Sequence, residues 1–133
     1  MTQVIDKVCI IEDEEVHLFI LKTYLEATQK INEVCVYDHG KVAFDDLQHR
    51  HQSGETLPTL IFLDLNMPVW DGWQFLDEFS QLDIENPPAI YIMTSSNSPY
   101  DLKKLNNYNM VTNYLVKPIS RDAIATILES EVS

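Results

Sequence analysis

Five short apolar runs, Lys7–Ile11, Glu33–Tyr37, Thr59–Leu63, Ala89–Met93 and Asn113–Val116, alternate along the chain with longer segments of helical apolar spacing. Runs of that length read as strands, and the segments between them are long enough for helical crossovers. A β-α unit repeated five times forces a parallel sheet with right-handed crossovers and helices on both of its faces. The fold class is therefore α/β, doubly wound around a five-stranded parallel sheet. No repeat, low-complexity tract or flexible linker marks a second domain, and 133 residues suit one substantial core, so residues 1–133 read as a single domain.

Within the helical segments, Val16, Phe19, Ile20, Tyr24 and Ala27 recur on one face, as do Val42, Ala43 and Leu47, and then Phe75, Leu76, Phe79 and Leu82. Asp71 followed by Gln74 has the form of a capping box. Ser98 precedes Pro99, with Asp101 in the first turn, which is a second helix start. A last helix is predicted from about Arg121, capped by Ser120, with Ile124, Ile127 and Leu128 facing inward. The polar stretch Gln48–Leu57 reads as a frayed helix end and loop. His39, His49 and His51 are close there, but His49 and His51 are two apart and point to different sides of a helix, so exposed histidines are expected rather than a metal site.

The formal charge of −12, from 9 basic and 21 acidic residues, argues against direct nucleic-acid binding or attachment to an anionic membrane. Met1 to Lys7 lacks the basic and long apolar regions of a signal peptide, and no apolar stretch approaches the length of a membrane span; a cytoplasmic location is expected, with no membrane insertion. Cys9 and Cys35 both lie inside apolar runs, where buried small hydrophobes are expected rather than a disulfide.

Polar residues close four of the five strands: Glu12 and Asp13 the first, Asp64 the third, Thr94 the fourth and Lys117 the fifth. The 51 residues from Asp13 to Asp64 hold two βα units, and the next intervals of 30 and 23 hold one each. Carboxyl ends of parallel strands share one edge, where ligands bind, so five distant side chains are expected to meet. Three carboxylates repel unless a cation holds them, and oxygen-only ligands favour Mg²⁺. Lys117 offers a point charge for a phosphoryl oxygen, and Thr94 a hydroxyl donor. That set suits phosphoryl transfer, and a carboxylate attacking phosphorus yields an acyl phosphate. Taken singly the pieces are ordinary: Glu14 and Glu15 suit a helix N-terminus, Thr94-Ser95 a polar loop and Lys117-Pro118 a strand exit. Their combination at matching strand ends carries the reading.

Ile11-Glu12-Asp13, Leu63 to Gly72 (LDLNMPVWDG), Met93-Thr94-Ser95 and Tyr114-Leu115-Val116-Lys117-Pro118, in that order, resemble the response-regulator receiver domains of two-component signalling, the CheY-like family. The resemblance spans about Lys7 to Ser130. It implies a flavodoxin-like strand order of 2-1-3-4-5. It also implies that Asp64 is the phosphoacceptor, supplied by a sensor histidine kinase or a histidine phosphotransfer protein. Mg²⁺, with Mn²⁺ as a substitute, would be held by Asp13, Asp64 and the Asn66 main-chain carbonyl, and through water by Glu12. Lys117 and Thr94 would contact the phosphoryl group, Tyr114 would move with Thr94, and the Lys117–Pro118 peptide would be cis. The signalling surface would be Pro99–Asn109 and Tyr114–Glu129, facing a downstream protein target. Asn66 and Ser96 occupy positions that tune hydrolysis in the family. Glu12 stands where the family more often has Asp, and Trp70 where it has a smaller residue; Trp70 and Trp73 read either as partner-facing anchors or as packing groups.

The function expected is a phosphorylation switch that catalyses its own phosphorylation and dephosphorylation rather than a conventional enzyme. No output domain is expected after the last helix, so output through protein contacts or onward transfer to a phosphotransfer protein is expected. A haloacid-dehalogenase-like phosphatase also uses an Asp nucleophile with Mg²⁺, but its second Asp is replaced here by Asn66. A flavodoxin-like cofactor binder would need a phosphate-cradling loop after the first strand, where this chain has acids. The intact set of five residues argues against a receiver that cannot be phosphorylated.

Overall fold

A computed structural model describes residues 4–67, 69–95 and 98–132. The elements are β1 (Ile5–Ile11), α1 (Glu15–Ala27), β2 (Ile31–Tyr37), α2 (Gly40–Gln52), β3 (Leu60–Asp64), α3 (Gly72–Phe79), β4 (Ala89–Thr94), α4 (Pro99–Leu105), β5 (Val111–Val116) and α5 (Arg121–Val132). All strand pairs are parallel, in the order β2-β1-β3-β4-β5. The parallel, doubly wound sheet expected from the alternation is thus observed, in the strand order implied by the resemblance.

Strand periodicity divides the core. Cys9, Ile11, Ile61 and Leu63 point to one side, where they pack with Ala43, Leu47, Phe75, Leu76 and Phe79 of α2 and α3. Val8, Ile10, Leu60 and Phe62 point to the other, against Leu21 and Leu25 of α1 and Ile124 and Leu128 of α5. Every residue of β3 is buried, as expected for a central strand covered on both faces. Asp71 accepts a hydrogen bond from the Gln74 N–H at 2.9 Å, and Ser120 Oγ accepts one from the Ala123 N–H at 3.1 Å, so both caps form. Ile124, Ile127 and Leu128 face inward as expected.

Several expectations are corrected. In α1 the buried residues are His17, Leu21 and Leu25, while Val16 and Phe19 are 67% and 72% exposed. The segment carries two apolar stripes, and the one ending in Leu21 and Leu25 meets β1 and α5. In α2 Val42 is exposed, and Phe44 joins Ala43 and Leu47 in the core. Leu82 lies beyond the end of α3, packed against the same core. The stretch read as frayed after residue 48 remains helical to Gln52. Nor are its histidines simply solvated: His39 Nδ1 caps α2 by accepting from the Val42 N–H, and His51 Nε2 lies 2.9 Å from the Asp83 carbonyl.

The cysteines are corrected most sharply. Cys9 and Cys35 are directly opposed on β1 and β2, with Cα atoms 4.7 Å apart, and form a disulfide. Their pairing is a property of strand register, which brings together two positions 26 residues apart in sequence.

Candidate functional site

β1 has β2 on one side and β3 on the other, so the chain reverses its winding direction between them. The crevice beyond the carboxyl ends of β1 and β3 is the ligand position of such sheets. Glu12 and Asp13 directly follow β1, and Asp64 closes β3. Carboxylate oxygens of these three residues lie within 4.8 Å of one another. Thr94 closes β4 and is buried. Lys117 follows β5, where its N–H donates to the Thr94 carbonyl at 2.7 Å, tying the two strand ends together. The Lys117–Pro118 peptide is cis.

Lys117 bridges the acids. Its Nζ lies 3.3 Å from both carboxylate oxygens of Glu12 and 3.4 Å from Asp64 Oδ2. Glu12 and Asp64 are each only 1% exposed. Burial pushes the Glu12 carboxyl up, but His17 and Lys117 outweigh it and hold the group below its ordinary value. Asp64 goes the other way. Burial pushes it up to about 6, the Asn66 N–H opposes this, and the charge of Glu12 adds to the rise. At neutral pH both are carboxylates, with Asp64 the more basic.

The loop after β3 is anchored at both ends. Asp64 Oδ1 accepts from the Asn66 N–H at 3.1 Å, and the Gly72 N–H donates to the Leu65 carbonyl at 3.0 Å. A Cβ at Gly72 would stand 2.7 Å from Leu65 Cα and 2.8 Å from the Asp64 carbonyl oxygen, so only glycine lets α3 start this close to the end of β3. Asn66 Nδ2 reaches Ser95 Oγ at 3.5 Å across the crevice mouth. Ser96 and Pro68 lie outside the described residues.

Trp70 and Trp73 are half-buried packing groups. Trp70 lies 5.5 Å from the Phe44 ring with Lys41 above it, and Trp73 lies 6.0 Å from the Tyr108 ring with Lys104 Nζ at 4.4 Å. Tyr114, 37% exposed, stands on the edge strand β5 away from the acid cluster.

The structure thus brings Glu12, Asp13, Asp64 and Lys117 together and sets Thr94 at the neighbouring strand end. Reading from sequence missed two residues. Gly72 was legible only as part of the turn before α3. His17 was hidden inside an apolar helix, although a histidine in such a stripe is itself a signal: its Nδ1 lies 3.3 Å from Glu12 Oε2.

The donor set fits a hard divalent cation. All three side chains offer oxygen, the ligand preferred by Mg²⁺, and the crevice leaves the exposed Asp13 side open to water. Among the described residues no helix is long and apolar enough to cross a membrane.

The family described as the response regulator receiver domain matches residues 8–129. A curated relative, the probable methanogenesis regulatory protein FilR2 of Methanothrix harundinacea, is 26% identical over 122 residues, covering 92% of this chain and 78% of its own. The crystal structure of a two component response regulator from Cytophaga hutchinsonii superposes with a TM-score of 0.86 at 27% identity, covering 97% of this chain and 98% of that one. The receiver domain of sensor histidine kinase PA1611 from Pseudomonas aeruginosa, solved with magnesium in its active site cleft, shares the fold at a TM-score of 0.77 and 20% identity, covering 95% of this chain and 96% of that one.

Proposed function

The chain belongs to the response-regulator receiver domains of two-component signalling, and from that premise we propose that Asp64 accepts a phosphoryl group from a phosphohistidine in a Mg²⁺-dependent reaction. The observation that carries this is the carboxylate of Asp64, buried, pushed up to about 6 and within 3.4 Å of Lys117. A carboxylate of that basicity is ionised at neutral pH yet more nucleophilic than an ordinary one. An Asp64 oxygen attacks phosphorus, the P–N bond to the donor imidazole breaks, and its electron pair stays on that nitrogen, which takes up a proton.

Lys117 is shared between Glu12 and Asp64 and can follow the phosphoryl oxygens once Asp64 is esterified. Asp13, Asp64 and the Asn66 carbonyl would hold Mg²⁺, with Glu12 acting through water; the bound ion would supply charge neutralisation. Mn²⁺ would serve in its place, having the same taste for oxygen ligands. Thr94 would donate to another phosphoryl oxygen, and Tyr114 would move inward with it, changing the face made by α4, β5 and α5. That face, where Tyr100 is 73% and Val116 41% exposed, would meet the downstream target.

Incubation with Mg²⁺ and a small phosphodonor is expected to add one phosphoryl group per chain by intact mass, and none when the metal is chelated. No adduct with Mg²⁺ present would sink this reading; continuous turnover of varied phosphate esters would point to a phosphatase.

The donor's approach is marked by the outward stripe of α1. Val16 and Ile20 line a shallow groove of about 350 Å³ with Glu14, His17, Ser95, Lys117 and Pro118, and Phe19 stands exposed on the same stripe. An apolar patch beside a phosphoryl site suits a protein bearing the phosphohistidine, a histidine kinase or phosphotransfer protein. Phe19→Asp is expected to slow transfer from a phosphorylated protein donor at least tenfold, in line with loss of a buried aromatic contact, and to leave uptake from a small donor unchanged. Equal slowing with both donors would contradict this.

A further inference from the structure

Glu12 has more partners than one carboxylate ordinarily serves. Oε1 accepts from the Glu14 N–H at 3.2 Å and from Lys117, while Oε2 faces Lys117 and His17, each at 3.3 Å. His17 projects from the first turns of α1 and is 7% exposed. Neither of its ring nitrogens makes an aligned hydrogen bond among the described residues. An imidazole buried in this way is costly unless its polar atoms serve something nearby. The group it faces is Glu12, whose Oε2 lies 3.3 Å from Nδ1.

The other pull on Glu12 comes from Lys117, which Asp64 also needs. Without a second partner, Glu12 would settle more fully on Lys117, turning from the metal-binding oxygens and withholding the lysine from the phosphoryl group. We propose that His17 is a positioning residue, holding the Glu12 carboxylate toward Asp13 and Asp64 and limiting its pairing with Lys117. This rests on the Mg²⁺ reading above and assigns His17 a part in it. It works through hydrogen bonding from the ring Nδ1–H, the logic by which groups behind metal ligands orient them.

The test is Mg²⁺ binding by calorimetry to the unphosphorylated protein. His17→Leu keeps the buried volume and removes the donor, and is expected to weaken Mg²⁺ roughly tenfold, the low end for loss of an orienting partner. His17→Asn places an amide N–H where Nδ1 was and is expected to restore most of the affinity. His17→Gln carries its amide past Glu12 and is expected to resemble His17→Leu, so the Asn and Gln pair decides the matter even if the leucine variant folds poorly. In Glu12→Gln, His17→Leu should bring no further loss. Unchanged Mg²⁺ affinity in His17→Leu, or the same loss with and without Glu12, would overturn the role of His17 while leaving the receiver function standing. Absence of Mg²⁺ binding by the unsubstituted protein would overturn both.

Discussion

Asp64→Asn is expected to abolish phosphoryl uptake and, at the same time, to make the metal-free protein more stable at pH 7.5 by roughly 3 kcal/mol. The two effects have one cause. Asp64 is 1% exposed, and its folded carboxyl is pushed up to about 6 by burial, whereas an unfolded aspartate titrates near ~4. The folded state therefore disfavours the charge. Stability from this group is greatest below the unfolded value and falls as pH rises through about 4 to 6, reaching its full loss above the folded value. Each unit of such a shift corresponds to about 1.4 kcal/mol. Asparagine keeps the shape and can still accept from the Asn66 N–H, while Lys117 retains Glu12. Urea melts of the two proteins without metal should differ at pH 7.5 and converge near pH 4. Added Mg²⁺ should narrow the gap at pH 7.5, because it stabilises only the native carboxylate site. A less stable Asp64→Asn, or a difference independent of pH, would contradict this account of the buried charge.

The second large effect comes from the link between β1 and β2. The Cys9–Cys35 disulfide closes 26 residues that include all of α1. Cross-linking a loop of that size restricts the unfolded chain, and its loss typically costs about 2–4 kcal/mol. Cys35→Ser is expected to lower the unfolding free energy by that amount under oxidising conditions, moving the urea midpoint down by about 1–2 M, and to match the unsubstituted protein once both are fully reduced. The serine is tolerable at this position because Cys35 is only partly buried, whereas Cys9 is completely enclosed. Equal midpoints under oxidising conditions would mean that the link contributes nothing in solution.

These effects separate what was legible in the chain from what was not. Four strand ends were legible because each is a polar residue closing an apolar run, and parallel pairing brings such residues to one edge. β1, β2 and β5 begin two residues earlier than their expected starts, at Ile5, Ile31 and Val111, because main-chain pairing runs on through the polar residues that interrupt the apolar pattern there. The phase of α1 was not legible: Val16-Phe19-Ile20 and Leu21-Leu25 are both helical stripes, and the choice between them is made by contact with β1 and α5. Cys9 and Cys35 pair only through a register that no single strand encodes. His17 gains its meaning from Glu12, five positions before it, across a strand end and a helix start.

The central claim is that Asp64 itself forms the acyl phosphate, and it can be read chemically. Protein phosphorylated by a small donor with Mg²⁺, reduced with borohydride and digested, should yield a single modified peptide in which Asp64 has become homoserine. Reduction at Asp13 or elsewhere, or an unmodified Asp64 in protein that carries the phosphoryl mass, would contradict it.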